Sequence, residues 1–465
     1  MKVRIQVKVS TEGGEQVEEI TLLEREQPQL ETLGLSLAEG KDILKKIQAV
    51  VVERQLDEFL CRERCCPECG KRRQSKGYSP TTTFRTVFGN VSIKNPRLHH
   101  CNCQPHEEQT FSPLKVLLAG HISPELLYLE TRWASLIPFV PTAELLHEVL
   151  PVDEKLNATT IRNHLLAVAE RIDEELGEEA VSFIEGCPRD WAELPPPDGP
   201  LTIGGFVRAA HKAGHFEVIV GKSVLAFERG AEREPETTRR FGYVQTFDTK
   251  PRRRVFELLK SQGMQANQQV VFLSDGGEDV REVQNYLNPG AEHWLDWFHI
   301  TMRMTVLSQQ AKGFRETKAK LMEEVTKSLE RIKHFLWHGN VYQAMQEIDG
   351  LDLDLDGQEG AEKLAKGVQE LSIYVRNNQG FIPNFGERYR QGESVSTAFV
   401  ESTVNQVVSK RMVKRQQMQW SLRGAHLLLQ IRTRVLDGKL EDTFRRWYPN
   451  FRPNAATPVE AVSAA

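Results

Sequence analysis

The sequence predicts a mixed α/β protein: one sheet-bearing domain, preceded by a cysteine-rich module and a helical domain. Three observations lead to it. Strand-like runs at Leu201–Ala210, Phe216–Leu225 and Phe241–Phe247 follow one another with no helical pattern between them. A helix at Arg254–Gln262, a strand at Val270–Ser274, a helix at Glu278–Leu287 and a strand at His293–Trp297 come next. The apolar run Val270–Leu273 also breaks abruptly into Ser274, Asp275, Gly276 and Gly277, as a buried strand does at the rim of a sheet.

At 465 residues the chain is too long for one simple core. Residues 1–60 form a first domain. MKVRIQVKVS alternates charged and β-branched residues, so residues 1–36 read as short strands and not as a signal peptide. Leu37–Leu60 reads as an amphipathic helix with Ile43, Leu44, Ile47, Val51 and Leu60 on its apolar side. The cysteine-rich module spans 61–112 and a mostly helical domain spans 113–186. Five prolines and a glycine mark a linker at 187–200. The sheet-bearing domain covers 201–448, with a helical insertion at about 300–390. Phe399–Lys410 and Ala425–Leu436 read as further helices, and 449–465 as a flexible tail. Three strands, a helix and a further strand is the order of a ribonuclease H-like sheet, an order other α/β folds share.

Composition excludes some classes. With 40% hydrophobic and 27% charged residues the chain reads as globular, neither disordered nor membrane-embedded. No apolar run reaches bilayer-spanning length, and a cytoplasmic location is expected. A net charge of −4 hides an asymmetry: between Asn405 and Arg452 there are eleven bases against three acids. Such a basic end suits a phosphate backbone, and equally a solvated helix face.

Six of the seven cysteines lie between positions 61 and 103. Cys66 and Cys69 form a CxxC knuckle, and Cys101 and Cys103 a CxC pair across a β-rich stretch. Two such pairs joined by a hairpin suit a tetrahedral structural zinc site, closed to water by its four protein ligands. His99, His100 and His106 are alternatives for one sulfur; Cys61 and Cys65 are spare. Lys71, Arg72, Arg73 and Lys76 flank the knuckle and suit contact with DNA. Downstream, Thr142–Val149 and Ala158–Ile172 are helical patterns. The second opens with hydroxyls that can cap it, and Arg162 and Asn163 can face outward. A helix-turn-helix and a plain helical hairpin both fit.

Two motifs fail. Asp352, Asp354, Asp356 and Gly357 begin like a calcium loop, but the twelfth position is Lys363 where a bidentate Glu is needed. Gly221-Lys222-Ser223 ends like a phosphate-binding loop, yet Phe216 stands where its first glycine belongs.

Phosphoryl transfer on two metal ions needs carboxylates that converge from distant parts of the chain. Asp275 at a strand end qualifies. So does Glu401, a lone acid in the small and apolar stretch Ser396–Val404. The segments CPECG, FRTVFGNVSIKNPR, GGFVRA, FEVIVGKS, FLSDGG, LDWFHITMR, FLWHGN, FIPNFGERYR, STAFVESTVNQVVSKRM and GAHLLLQIRTRV run in this order along the chain. In these it resembles the ISKra-type bacterial insertion-sequence transposases, from the cysteine block to Tyr448. The resemblance implies a ribonuclease H-like core with a DDE triad that cuts and joins DNA using Mg²⁺ or Mn²⁺. Asp275 would be the second Asp and Glu401 the Glu. Asp296 and His299 would match the acidic or Cys-x-x-His motif of related transposases and order the active-site wall. Element terminal repeats and target DNA would be the partners, met by Lys410, Arg411, Lys414, Arg415 and Arg162. A homo-oligomer on the bacterial nucleoid is expected.

One position departs. The family places an Asp directly before the GG of its first strand, and this chain has Ile203 there. Asp198 lies five residues earlier, beyond Pro200, and is a poor substitute. Two functions therefore compete: an active transposase, and a catalytically inactive DNA-binding derivative acting as a repressor or decayed copy. Ile203→Asp is the substitution expected to rebuild the triad.

Overall fold

A computed structural model describes residues 1–11, 14–26, 29–103, 109–118, 120–180, 201–210, 216–225, 237–265, 268–313, 319–413 and 420–453. The chain is mixed α/β and divides into two compact units, Met1–Ala167 with Leu440–Ala465, and Val168–Lys439. The linker expected at 187–200 lies within residues 181–200, outside the described residues, as does Cys187.

The first unit opens with two long strands, β1 (Lys2–Thr11) and β2 (Gly14–Glu24), paired as an antiparallel hairpin. Helix α1 (Leu37–Glu63) begins at a capping box: the Ser36 hydroxyl accepts from Glu39 N while the Glu39 carboxylate accepts from Ser36 N. Its apolar side differs from the expected one, because Leu44 and Val51 are exposed. The helix packs on two neighbours and its buried stripe shifts along its length. Ile43, Ile47 and Val50 cover the hairpin cluster, whereas Val52 and Leu56 join Val91 and Ile93 of the next sheet. That sheet is β3 (Ser75–Thr86), β4 (Gly89–His99) and β5 (Thr110–Phe111), all antiparallel. Helices α2 (Leu114–Leu117), α3 (Pro124–Leu136), α4 (Phe139–Val149) and α5 (Ala158–Glu175) follow.

The second unit carries a five-stranded sheet: β6 (Leu201–Ala210), β7 (Phe216–Leu225), β8 (Arg239–Val244), β9 (Val270–Ser274) and β10 (Glu292–Leu295). The spatial order is β10-β9-β6-β7-β8. β7 is antiparallel to both its neighbours, and β9 is parallel to β6 and β10. All of β9 is buried, which explains its unbroken apolar run: a central parallel strand is covered on both faces. Helices α6 (Pro251–Ser261) and α7 (Glu278–Leu287) cover one face through Val255, Leu259, Val280 and Leu287. On the other lie α13 (Ala398–Val404), which packs against β6 and β7, and α14 (Leu422–Leu436), which packs against β8. Between sheet and α13 come α8 (Trp297–Lys312), α9 (Ala319–Trp337), α10 (Val341–Leu355), α11 (Glu362–Asn377) and α12 (Phe385–Arg390). The first four share their own apolar core, including Ile300, Leu329, Ile348 and Val368. The helix expected over Phe399–Lys410 is two elements, because α13 passes into a π-helix at Asn405–Val413.

A buried ion network holds the end of α5, which from Val168 belongs to this unit, to its neighbours. Arg254 donates to Asp248 and Asp173, and also to Gln430 of α14. Burial alone would raise the Asp173 carboxyl. The hydrogen bond from His426 and the Arg254 charge outweigh it and hold the group well below the usual carboxylate range.

Candidate functional site

Asp275 follows the last residue of β9 and is half-buried. Its Oδ1 accepts from Gly277 N at 3.1 Å, closing a tight turn, while Gly277 caps α7 without side-chain help. Gly276 has φ of +91°, and a Cβ there would lie 2.6 Å from Asn378 Oδ1. Only glycine fits. The turn is bolted to α11: the Tyr374 hydroxyl donates to Asp275 O at 3.1 Å, and Arg281 bridges Gly276 O and Asn378 Oδ1. The helical insertion thus holds the carboxylate's loop in place.

Asp296 is fully buried and caps α8. Its Oδ1 accepts from Phe298 N at 2.8 Å and Thr397 N at 3.0 Å, and its Oδ2 accepts from the Thr397 hydroxyl. His299 Nδ1 lies 4.0 Å from Oδ2. Thr397 directly precedes α13, so Asp296 clamps the entry of the helix that carries Glu401. Glu401 itself is exposed. Asp296→Ala strips a buried acceptor from three donors and should cost roughly 2–4 kcal/mol, read by urea unfolding. Asp296→Asn, which keeps one acceptor oxygen, should cost less.

Ile203 sits elsewhere. It pairs with Phe272 of β9 and Ser223 of β7, and is buried in the cluster beneath α6 and α7. Lys222, one residue along β7, points to the opposite face by strand alternation, and its Nζ donates to Phe399 O of α13 at 2.9 Å. The side chain at 203 therefore faces away from the helix of Glu401. A carboxylate there would point into apolar core, which overturns the expectation that Ile203→Asp rebuilds a triad. Asp198 lies outside the described residues.

These donors do not fit a two-metal centre. Asp296 has its oxygens engaged by three donors of its own chain, Asp275 spends one oxygen on its turn, and position 203 offers nothing. Among the described residues, the one group of three or more Cys, His, Asp or Glu with ligand atoms close enough for a metal excludes Asp275 and Glu401.

That group is Cys66, Cys69, Cys101 and Cys103, whose sulfurs all lie within 4.8 Å of one another. Cys66 and Cys103 are 3.5 Å apart, and Cys69 and Cys101 3.4 Å. A tetrahedron of metal–thiolate bonds has sulfur edges of about 3.8 Å, so the four fit a metal such as zinc. Gly70, at φ of +69°, turns the knuckle, and its N–H donates to Cys66 O. Backbone N–H groups of Cys69 and Glu68 pull the Cys66 thiol down to about 6. The backbone of Cys103 likewise lowers Cys101, while the neighbouring sulfurs raise Cys103. The thiolates a metal needs are thus partly favoured before it binds. No histidine is required: His100 packs against Phe111 with its ring tilted, His99 ends β4, and His106 lies outside the described residues. Cys61 and Cys65 stay outside the group.

In comparisons with known proteins, the chain matches no family model and no curated protein.

The bases expected to meet DNA divide. Arg162 is exposed near the start of α5, whose cap is the Asn157 side chain and not a threonine hydroxyl. Lys410 is exposed. Arg411 is 0% exposed and its guanidinium lies over the Trp420 ring, so it cannot serve as a surface base in this conformation. Burial, then the nearby Arg432, lowers it to about 10. Lys414 and Arg415 lie outside the described residues. The calcium-like acids fall at the end of α10, and Gly221-Lys222-Ser223 lies inside β7.

Several residues of the Asp275 surroundings carry no sequence signal. Tyr374 on α11, Asn378 at its C-terminal cap and Arg281 on α7 meet the turn only in three dimensions. His293 is another. Its Nε2 and the Ser274 hydroxyl lie 2.9 Å apart, and burial followed by the Arg281 charge lowers it to about 4. The folded state then stays neutral while the unfolded chain takes up a proton below about 6.5. Stability should fall by roughly 2–3 kcal/mol as pH drops from about 6.5 to about 4, and His293→Gln should flatten that slope in denaturant titrations.

Among the described residues no helix is long and apolar enough to cross a membrane.

Proposed function

We propose that this chain is a DNA-binding protein with the architecture of an insertion-sequence DDE transposase, whose own strand cleavage is impaired. One observation carries this reading. The sheet order β10-β9-β6-β7-β8, with β7 antiparallel to its neighbours, is the ribonuclease H-like order, and Asp275 sits at the end of β9. Glu401 lies on the helix packed over β6 and β7, as the third acid of that triad does. Cys66, Cys69, Cys101 and Cys103, which could hold zinc as a zinc ribbon does, are flanked by exposed Lys71, Arg72 and Lys76. Zinc would supply cross-linking there and no reaction. Arg162 and Lys410 supply further phosphate contacts, and the protein acts in the cytoplasm on the nucleoid as a homo-oligomer. Impairment follows because, among the described residues, no further acid or histidine groups with Asp275 and Glu401 to hold Mg²⁺.

Binding of a labelled duplex by fluorescence anisotropy over a salt series tests it. The expected result is an affinity that falls steeply with salt, as phosphate contacts require. No binding at low salt would sink the proposal. A second reading, an active transposase, is favoured by the solvent access of Asp275 and Glu401, and it requires a third ligand from outside the described residues.

A further inference from the structure

We propose that Arg303 holds a backbone phosphate of bound DNA beside Asp275, with Tyr374 as its platform. This rests on the DNA-binding reading above and names a contact within it. Arg303 follows Asp296 and His299 along one face of α8, at helical spacings of three and four. Its guanidinium carbon lies 4.1 Å from the centre of the Tyr374 ring. The hydroxyl of that same tyrosine donates to Asp275 O at 3.1 Å. Burial raises the Tyr374 hydroxyl's pKa; the charge of Arg303 and its hydrogen bond to Tyr374 act against that, while the charges of Asp275 and Asp296 act with it. The ring therefore fixes a cation next to the turn that carries the carboxylate.

Two further facts select Arg303. First, it is exposed, and among the described residues it has no carboxylate partner. A guanidinium has five N–H donors, so beyond the one that meets Tyr374 it keeps others that suit the oxygens of a phosphate. Second, the other cation beside this turn is committed. Arg281 donates to Gly276 O and Asn378 Oδ1 and lies over the Phe381 ring. A phosphate approaching Asp275 meets carboxylate repulsion, and Arg303 is the side chain placed to offset it. Arg411, which the sequence offered for such a contact, is buried.

The test is anisotropy of a fluorescein-labelled duplex across a KCl series, with melting temperatures recorded for every variant. Arg303→Ala should weaken binding about five- to tenfold and reduce the slope of log affinity against log salt by about 1. Arg303→Lys keeps the charge and should retain most of the slope while recovering part of the affinity. Tyr374→Phe should leave the slope unchanged. If the wild type binds and Arg303→Ala keeps its salt slope, the proposal is overturned, and a lowered melting temperature alone would then mark Arg303 as structural. If the wild type binds no duplex, the DNA-binding reading falls and this contact with it.

Discussion

Ile203→Asp should destabilise the second unit by roughly 3–5 kcal/mol and restore no metal centre. The residue is 2% exposed, paired across the sheet with Phe272 and Ser223 and clustered with Val255 and Leu259. The Ser223 hydroxyl on the paired strand is a neighbouring donor but carries no charge, so an aspartate stays protonated at a cost or opens the core. The conservative Ile203→Val should cost only about 0.5–1.5 kcal/mol, which separates lost volume from buried charge. Urea unfolding measures both, and Mn²⁺ titration of the folded fraction measures the site. A stable Ile203→Asp protein that gains Mn²⁺ binding would show that position 203 reaches the face of Glu401 after all.

Removing the metal from the cysteine group should have the second large effect. The protein is expected to carry one zinc per chain, and Cys66→Ser or Cys101→Ser to lose it. Structural zinc sites in isolated fingers contribute about 10 kcal/mol or more of folding free energy. The loss here should be smaller, because β4 and α1 keep a core of Val52, Leu56, Val91 and Ile93 without it. Local unfolding is expected at the knuckle and at β5, which is two residues long and pairs only with the end of β4. Metal analysis, with hydrogen exchange before and after a strong chelator, checks this. Unchanged exchange on metal removal would leave the group no structural role.

What the sequence disclosed depended on range. The strands β6, β7 and β9 were legible because each is a run of apolar residues bounded by breakers, and β9 is buried on both faces. The cysteine group was legible because its chemistry fixes residue type and spacing. The apolar side of α1 was misjudged, since a helix with two neighbours has no single stripe. The role of Asp296 was half visible. Its place before His299 could be read, but its grip on Thr397 spans a hundred residues and leaves no local pattern. The face of Ile203 was invisible for the same reason. Strand alternation fixes which residues share a side, while only the packed helices decide which side holds Glu401.

The most direct test of the account is a strand-cleavage assay on a duplex carrying the inverted repeats that flank the coding sequence, with Mn²⁺ present. The predicted result is salt-sensitive binding of that duplex with no metal-dependent nicks, the wild type being indistinguishable from Asp275→Asn. Mn²⁺-dependent nicking that Asp275→Asn abolishes would contradict it.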